Sequence, residues 1–306
     1  MSEKKNRFLI FLNPAAGSGR AGLFYRKIME KMFFARGIDY VTVVTNAKGD
    51  IRKYVRNFSG SVSSGYERII AMGGDGTSWE TLSSLMENDI CGIPVCIFPF
   101  GSGNDLARSL GMPVYNPTKS LEICLKGALD ELDICTVNGA HFANYLTFGF
   151  DGEVIHRRAA EKIELPGYTS YVRPIMKTLE NLKYHLYHLK IDGKEVDVIG
   201  IACIISNIPS QYGGVKLVTD ARYNDGRFEI TVIKKTLSVK TFLKFPFLHG
   251  KALSKSEYVR FKTDHALIDF DDAPPPIQID GDPYKPFLKH FEICIKRGAI
   301  KVIKKE

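Results

Sequence analysis

Three glycine-rich turns in the first third of the chain most constrain its fold. Each turn follows a short apolar, strand-like segment and precedes a helix-like one. Strands that alternate with helices indicate βαβ units, and so a parallel sheet with helices on its faces. In such sheets ligands bind beyond the carboxyl ends of the strands. We therefore predict an amino-terminal α/β domain in which the three turns face one crevice: NPAAGSGRAG (13–22), AMGGDGTSWE (71–80) and PFGSGNDLAR (99–108).

The pattern changes after about residue 130, where strand-like segments dominate. Several of them meet at Asn-Gly or Asp-Gly pairs, such as Asn138-Gly139, which are typical of hairpin turns. This pattern predicts an antiparallel β-sandwich, interrupted by helical insertions at roughly 168–188 and 236–250. The predicted domains are an α/β domain at 1–130 and a β-sandwich at 131–295.

Composition and charge limit the classes of partner. The chain has 306 residues, is 44% hydrophobic and 25% charged, and carries a formal net charge of +8. The composition is that of a globular protein, and the charge suits nucleic acid, anionic lipid or phosphorylated ligands. No pattern of a nucleic-acid-binding module occurs, so we expect no nucleic acid partner.

The cysteines and apolar runs predict a compartment. Six cysteines lie mostly in apolar runs without metal-type spacing, which indicates buried free thiols in a reducing environment. The longest nearly uncharged apolar run, at 198–206, has the length of a strand and is too short to span a bilayer. We expect no transmembrane segment and a cytoplasmic location.

The turn at 71–80 combines glycines with a helix start. Gly73, Gly74 and Gly76 allow the backbone to approach a ligand closely. Thr77 and Glu80 have the spacing of a capping box, which predicts a helix that begins immediately after the glycines. The amino terminus of such a helix binds phosphate.

Two of the three turns also carry an aspartate, Asp75 or Asp105. Each could be only a turn or capping residue. However, phosphate and carboxylate groups lie close together only when a cation separates them, and Mg²⁺ is the usual cation. The pair therefore predicts a nucleotide bound as its magnesium complex.

The first turn contains a literal G-x-G-x-x-G at Gly17, Gly19 and Gly22. A dinucleotide fingerprint needs an acid at the end of the second strand, whereas Asp39 opens that strand. The loop is either a phosphate-contacting loop or a connector without a ligand. Neither a Walker A motif nor the protein-kinase motif set occurs.

Six segments of the chain form a pattern in this order: FLNPAAGSG, AMGGDGTSWE, PFGSGNDLAR, GFDGEV, YGGVKLVTDARYNDGRFEI and IQIDGD. Together they resemble the diacylglycerol kinase catalytic-domain family, which includes soluble bacterial lipid kinases, sphingosine kinases and ceramide kinases. The resemblance covers nearly the whole chain and implies ATP in a cleft between the α/β domain and the β-sandwich. It also implies that the tail, 296–306, returns to the first domain.

The resemblance implies roles for single residues, matched by motif. Asp75, Asp105 and Asp133 resemble the aspartates that hold active-site magnesium through water. Asp225 resembles the ligand of a second, structural magnesium, helped by the carbonyls of Arg222 and Arg227, although a plain hairpin Asp-Gly is the alternative. The expected nucleotide site comprises Asn13, Pro14, Gly17, Thr45, Gly73, Gly74, Asp75, Gly76, Thr77, Glu80 and Ser102.

The sequence departs from the family pattern near its end. Where the family has Asp-Gly-Glu, with the glutamate as general base, this chain has Asp280, Gly281 and Asp282. The side chain of Asp282 is one methylene shorter than that of glutamate. The carboxylate of the base therefore either lies in a different position or accepts the proton through a water molecule. Asp280 is the reserve candidate for the base, and a turn without a catalytic role is the alternative.

A basic segment at 234–262 suits a membrane surface. It carries eight Lys or Arg against one acid, Glu257, and interleaves them with large apolar side chains. This mixture predicts docking on anionic headgroups, while a basic, half-buried sandwich edge is the alternative. We expect a peripheral membrane protein that meets its lipid there, and a homodimer is left open. The apolar side chains are Phe242, Leu243, Phe245, Phe247 and Leu248.

The sequence is consistent with three functions. The first is an ATP- and Mg²⁺-dependent lipid kinase, with diacylglycerol as the expected acceptor and phosphatidic acid as the product. The second is an NAD kinase-like enzyme that phosphorylates a soluble nucleotide. The third is a binding or regulatory homologue that keeps the fold but has lost turnover because of Asp282.

Overall fold

In the computed structural model, the chain forms two compact units. The first unit contains Met1–Leu132 and Gly298–Glu306, and the second contains Asp133–Arg297. The structure describes residues 7–161, 169–209, 220–234, 256–286 and 288–306.

Some predictions fall outside the described residues. They are the helical insertion at 236–250, the five apolar side chains of the basic segment and most of its lysines, and the stretch 212–219 of the YGGVKLVTDARYNDGRFEI motif. Glu257, Arg260 and Lys262 of the basic segment are described.

A parallel sheet forms the centre of the first unit. Its strand order is β2-β1-β3-β4, and every neighbouring pair is parallel. The long last strand, β16 (His290–Lys304), ends in this unit, where Val302 pairs with Val95 of β4. The other strands are β1 (Arg7–Leu12), β2 (Asp39–Val44), β3 (Arg68–Gly73) and β4 (Val95–Pro99).

Helices follow these strands as the glycine turns predict, so the parallel α/β architecture is confirmed. A π-helical turn, Tyr25–Met29, joins α1 to α2 in the first helical stretch. The helices of the first unit are α1 (Arg20–Phe24), α2 (Glu30–Ala35), α3 (Asp50–Asn57), α4 (Ser59–Gly65), α5 (Asp75–Glu87), α6 (Asp105–Ser109) and α7 (Pro117–Lys126).

The expectation that all six cysteines are free thiols is wrong for two of them. Cys96 of β4 and Cys124 of α7 form a disulfide, with their Cα atoms 5.4 Å apart. Both residues are fully buried. Their apolar surroundings in the sequence predicted burial correctly, but they gave no indication that helix α7 packs against β4 at this point.

The second unit is an antiparallel β-sandwich, as predicted. One sheet has the order β12-β11-β10-β7-β14-β15, and β16, β13, β8 and β9 pair in that order in the other. β5 pairs with both β16 and β6. The strands are the second half of β5 (Ala128–Val137), β6 (Ala140–Phe142), β7 (Tyr145–Gly149), β8 (His185–Ile191), β9 (Lys194–Gly200), β10 (Ala202–Ser206), β11 (Phe228–Ile233), β12 (Tyr258–Thr263), β13 (His265–Asp269), β14 (Ile277–Ile279) and β15 (Asp282–Tyr284).

Side chains from both sheets form one core. Phe148 of β7 packs on Phe270 and on Phe291 of β16, with ring centroids 5.6 Å and 5.0 Å apart. The apolar run at 198–206 ends β9 and forms β10, in agreement with its predicted strand length. Within the described residues, no helix is long and apolar enough to cross a membrane.

Two helices pack together beside the sandwich. α9 (Thr169–Glu180) corresponds to the helical insertion predicted at 168–188, but β8 already begins at His185. α8 (Phe150–Ala160) was not predicted as a helix, because its first residues continue the apolar pattern of β7. Phe150 and Val154 of α8 belong to a small apolar cluster against which Ile175 of α9 packs.

We expect Phe148→Ala to lower the free energy of unfolding of the second unit by about 3–5 kcal/mol, because it leaves a cavity among packed aromatic rings. Chemical denaturation would measure the change. Ile199→Ala, at a residue of β9 that is 60% exposed, is the control and should change stability by less than about 0.5 kcal/mol. Equal effects of the two substitutions would contradict the proposed core.

Candidate functional site

The helix after the second glycine turn begins differently from the capping-box prediction. α5 starts at Asp75, with Gly74 as its N-cap, and no side chain of the cap residue bonds to its first turn. Thr77 is buried inside the first turn. A Cβ on Gly73 would lie 2.3 Å from the Thr77 hydroxyl, so only glycine leaves room for this side chain. The predicted capping box is therefore wrong.

Glu80 instead caps a different helix. Its Oε1 accepts hydrogen bonds from the backbone N–H groups of Gly49, Ile51 and Arg52, at 3.0, 2.9 and 3.2 Å. These groups begin α3, where Gly49 is the N-cap. A carboxylate at a helix amino terminus satisfies unpaired donors and favours the helix dipole. Glu80 thus fixes α3 against α5, a tertiary role that its spacing from Thr77 did not indicate.

The second and third glycine turns pack directly on each other. A Cβ on Gly101 would lie 2.5 Å from the Cα of Gly74, closer than any side chain permits. The Phe100 N–H donates to the Gly73 carbonyl at 2.6 Å. The two turns approach this closely only because both positions are glycine.

The carboxylate of Asp75 binds the two turns together. Its Oδ2 accepts from the Asn104 N–H at 2.7 Å, and its Oδ1 accepts from the Asp105 N–H at 2.9 Å. Asn104 adopts the left-handed conformation, with φ of 56°, and its side chain bonds to both backbone groups of Gly101. Asp75 therefore caps α6, the helix that begins at Asp105.

Asp75 and Asp105 converge beside Gly103. A Cβ on Gly103 would lie 2.6 Å from Asp75 Oδ2 and 3.5 Å from Asp105 Oδ2. Burial, and then the negative charge of Asp105, raises the pKa of Asp75 above its usual range. Two carboxylates in this position favour a cation, and carboxylate oxygen is the ligand type that Mg²⁺ prefers. The residues present therefore fit a magnesium ion.

Other predicted nucleotide residues lie in the same unit. The Asn13 N–H donates to Met72 of β3, and Asn13 Oδ1 accepts from the Ala15 N–H, so this side chain shapes the first turn. Thr45 donates its hydroxyl to the Leu12 carbonyl. Ser102 is exposed in the third turn.

Two glycines of the first turn have packing roles. A Cβ on Gly22 would lie 3.2 Å from the side chain of Pro14, so this glycine allows α1 to pack on the start of the turn. Gly17 has φ of 62°, and a Cβ there would lie 2.8 Å from the Phe100 carbonyl.

Asp133 lies in the second unit and bonds to the loop around Asp225. Its Oδ2 accepts from the Gly226 N–H at 2.6 Å, and its N–H donates to the Tyr223 carbonyl at 2.7 Å. The Asn207 side chain donates to the Asp133 carbonyl. Asp133 thereby positions the Asp225-Gly226 turn.

The carboxylate of Asp225 has protein partners. Its Oδ2 lies 2.7 Å from Lys262 Nζ, and its Oδ1 accepts from the Arg227 N–H at 3.1 Å. Arg222 and Arg227 are exposed. Asp225 therefore forms an ion pair with Lys262 in this structure, and the structural magnesium at Asp225, with the carbonyls of Arg222 and Arg227, stays a prediction.

Asp280 and Asp282 flank the tight turn between β14 and β15 and have different surroundings. Asp280 and Gly281 both have positive φ, 47° and 88°, as a two-residue hairpin turn of type I′ requires. The two oxygens of Asp280 accept from the N–H groups of residues 143–145, at 2.8–2.9 Å. Asp280 therefore anchors the backbone that leads into β7, whereas Asp282 is exposed.

Sequence comparisons agree with this architecture. A sequence profile of the diacylglycerol kinase catalytic domain matches residues 7–137, and one of the YegS C-terminal NAD kinase beta sandwich-like domain matches 144–304. A protein of Enterobacter sp. (strain 638), named a probable YegS-like lipid kinase, is 33% identical over 266 residues that cover 84% of this chain and 83% of that protein. The chain belongs to the diacylglycerol kinase catalytic-domain family.

Other relatives of the kinase span most of its length. A diacylglycerol kinase of Mycobacterium tuberculosis is 28% identical over 263 residues, which cover 83% of this chain and 82% of that protein. A crystal structure of a diacylglycerol kinase from Bacillus anthracis str. Sterne has a TM-score of 0.72 and 21% identity, with 100% of this chain and 98% of that chain covered. The latter similarity supports the fold alone.

The second unit of the kinase also contains a cavity of about 460 Å³ that sequence patterns did not indicate. α8, the end of α9, the start of β8 and residues 273–276 surround it. Thr178 is 4% exposed, and its hydroxyl has no hydrogen-bond partner among the described residues; within the same residues, Arg157 Nε is likewise buried without one. Burial, and then the charge of Lys183, lowers the pKa of His185 at the same cavity. Glu153, Asn181, Lys183 and His185 also line the cavity, so it offers polar side chains to a ligand.

We expect Glu80→Ala to lower the free energy of unfolding by about 1–3 kcal/mol, because it leaves the amino terminus of α3 without an acceptor. Glu80→Gln keeps one acceptor oxygen and should cost less. Glu87→Ala, on the same helix, removes only the half-exposed ion pair with Arg52 and is the control. Denaturation curves measure all three, and a Glu80→Ala variant as stable as Glu87→Ala would show that the bonds to α3 are unimportant.

Proposed function

We propose that the protein is an ATP- and Mg²⁺-dependent lipid kinase that transfers the γ-phosphoryl group of ATP to a lipid hydroxyl. Diacylglycerol, which would give phosphatidic acid, is the first acceptor to test. The observation that carries the proposal is the convergence of Asp75 and Asp105 at two interlocked glycine turns, in a chain of the diacylglycerol kinase family.

The first unit would bind the nucleotide. α5 begins at the glycine turn without a side-chain cap, so the backbone N–H groups of its first turn can donate to phosphate oxygens. Asp75 and Asp105 would hold Mg²⁺, which when bound neutralises phosphate charge. Because the bonds to α6 fix Asp75, the carboxylates would be positioned before the nucleotide arrives.

The second unit would supply the general base. As the lipid hydroxyl oxygen bonds to the γ-phosphorus, the bond from that phosphorus to the bridging oxygen breaks and ADP leaves. The hydroxyl proton passes to the carboxylate of Asp282, directly or through one water. We assign the base to Asp282 because three backbone donors already hold the carboxylate of Asp280.

We place the polar group of the acceptor in the cavity beside α8 and α9. Thr178, Lys183 and His185 line this cavity, and their polar groups would form hydrogen bonds to the acceptor.

Asp282→Asn should lower kcat by about 10²- to 10⁴-fold, because it removes the proton acceptor, and should leave the Kd for ATP unchanged. Asp280→Asn is the matched comparison. It weakens the anchor for residues 143–145, so we expect it to lower thermal stability more than Asp282→Asn does. Steady-state kinetics, nucleotide titration and melting curves measure these effects. If Asp282→Asn keeps most of its kcat, the base is assigned wrongly.

Thr178→Val should raise the KM for the lipid acceptor several-fold and leave the KM for ATP unchanged. It should also stabilise the free enzyme slightly, because it removes a buried hydroxyl without a partner. Ser170→Ala, at another buried residue of α9, is a control for α9 packing. An unchanged acceptor KM in Thr178→Val would refute this assignment of the cavity.

A panel of lipids tests the function itself. The protein is incubated with radiolabelled ATP and Mg²⁺ in mixed micelles that contain diacylglycerol, a sphingoid base, undecaprenol or another glycerolipid. Labelled lipid is expected, and failure with every lipid would overturn the proposal. Soluble NAD is assayed in parallel, since labelled NAD phosphate would support the NAD kinase-like alternative. Anionic vesicles added to the assay test the proposed peripheral association with membranes.

A further inference from the structure

Three side chains of different chemistry meet on the surface of the second unit. They are His265 of β13 and Glu292 and Cys294 of β16, and one ligand atom from each lies within 4.8 Å of the other two. His265 Nε2 lies 3.0 Å from Glu292 Oε1. They are the one such group of histidine, cysteine or acidic side chains that the described residues form.

The strand register explains why these side chains converge. His265 and Cys294 are directly paired residues of antiparallel strands, so their side chains lie on the same face. Glu292 is two residues from Cys294 on β16 and shares that face. The backbone at Glu292 is fixed by two hydrogen bonds, because its N–H donates to Asn138 Oδ1 and its carbonyl accepts from the Asn138 N–H. The donor set is therefore built on rigid strands.

The donor types select a class of metal ion. Thiolate, imidazole and carboxylate are together the ligands of Zn²⁺ and of similar transition metals, whereas Mg²⁺ and Ca²⁺ prefer oxygen alone. Three protein ligands leave one tetrahedral position for water. Glu292 supplies a negative charge to the site, whereas the charge of the nearby Asp264 is offset by its ion pair with Arg297.

We propose that His265, Glu292 and Cys294 form a binding site for Zn²⁺ or a chemically similar divalent transition-metal ion. The ion would link β13 to β16 across the outer face of the sheet. The site uses none of the residues assigned to ATP or to the acceptor, so it does not depend on the proposed kinase activity.

Cobalt binding to the full chain tests the proposal. The protein is treated with chelator, kept reduced and titrated with Co²⁺ in the presence of excess Mg²⁺, which occupies sites made of carboxylates alone. We expect one Co²⁺ per chain, a thiolate-to-cobalt charge-transfer band in the near ultraviolet, and its loss when Zn²⁺ is added.

Variants locate the site. Cys294→Ser should abolish the charge-transfer band. His265→Ala and Glu292→Gln should weaken Zn²⁺ binding at least about tenfold. Substitution of a residue that only hydrogen-bonds to a metal ligand already lowers metal affinity by about that factor, and these two residues would be ligands themselves. His290→Ala is the matched control, since His290 lies on the same face of β16 and pairs with Asp269 without a thiol nearby.

Three outcomes would overturn the proposal. They are the absence of a thiolate band in the unaltered protein, a band that survives Cys294→Ser, and equal losses of Zn²⁺ affinity in His290→Ala and His265→Ala. Melting curves of each variant without metal show whether it is folded. His265 and Glu292 are exposed, so their substitution is expected to leave the fold intact.

Discussion

The hydrogen bonds from the start of α6 to the carboxylate of Asp75 hold the first unit's site together. They tie the second glycine turn to the third, and they orient Asp75 toward Asp105. The bonds form only because Gly74 and Gly101 allow the two backbones to touch. The two carboxylates repel each other in this arrangement, and the repulsion favours binding of a cation between them. A nucleoside triphosphate also needs a cation, usually Mg²⁺.

Carboxylates elsewhere in the chain act as anchors for backbone. Glu80 holds the start of α3, Asp280 holds residues 143–145, and Asp133 holds the Asp225-Gly226 turn. Each satisfies N–H groups that would otherwise lack partners. An acid in a family motif, such as Asp280, is therefore not by itself a sign of catalysis. Asp280 is held by three backbone donors and Asp282 is exposed, a difference that sequence position alone does not reveal.

The features that were predicted wrongly from neighbouring residues share one cause. In each case the residue that determines the structure by contact lies far away in the sequence. Thr77 and Glu80 have capping-box spacing, yet the N–H groups that Glu80 binds lie about 30 residues earlier. Cys96 and Cys124 are 28 residues apart and meet because α7 packs on β4. The start of α8 continues the apolar pattern of β7, and periodicity cannot place the boundary between them.

The sequence alone determined the parallel α/β unit, the antiparallel sandwich and the family. These follow from local patterns: glycine turns between strands and helices, Asn-Gly and Asp-Gly hairpins, and motifs of contiguous residues. Only the tertiary structure decided which acids face each other and which bind backbone, where the cavity with Thr178 lies, and that His265 faces Cys294. Such contacts join residues that are distant in the chain, and their geometry depends on strand register and helix packing, which no short motif encodes.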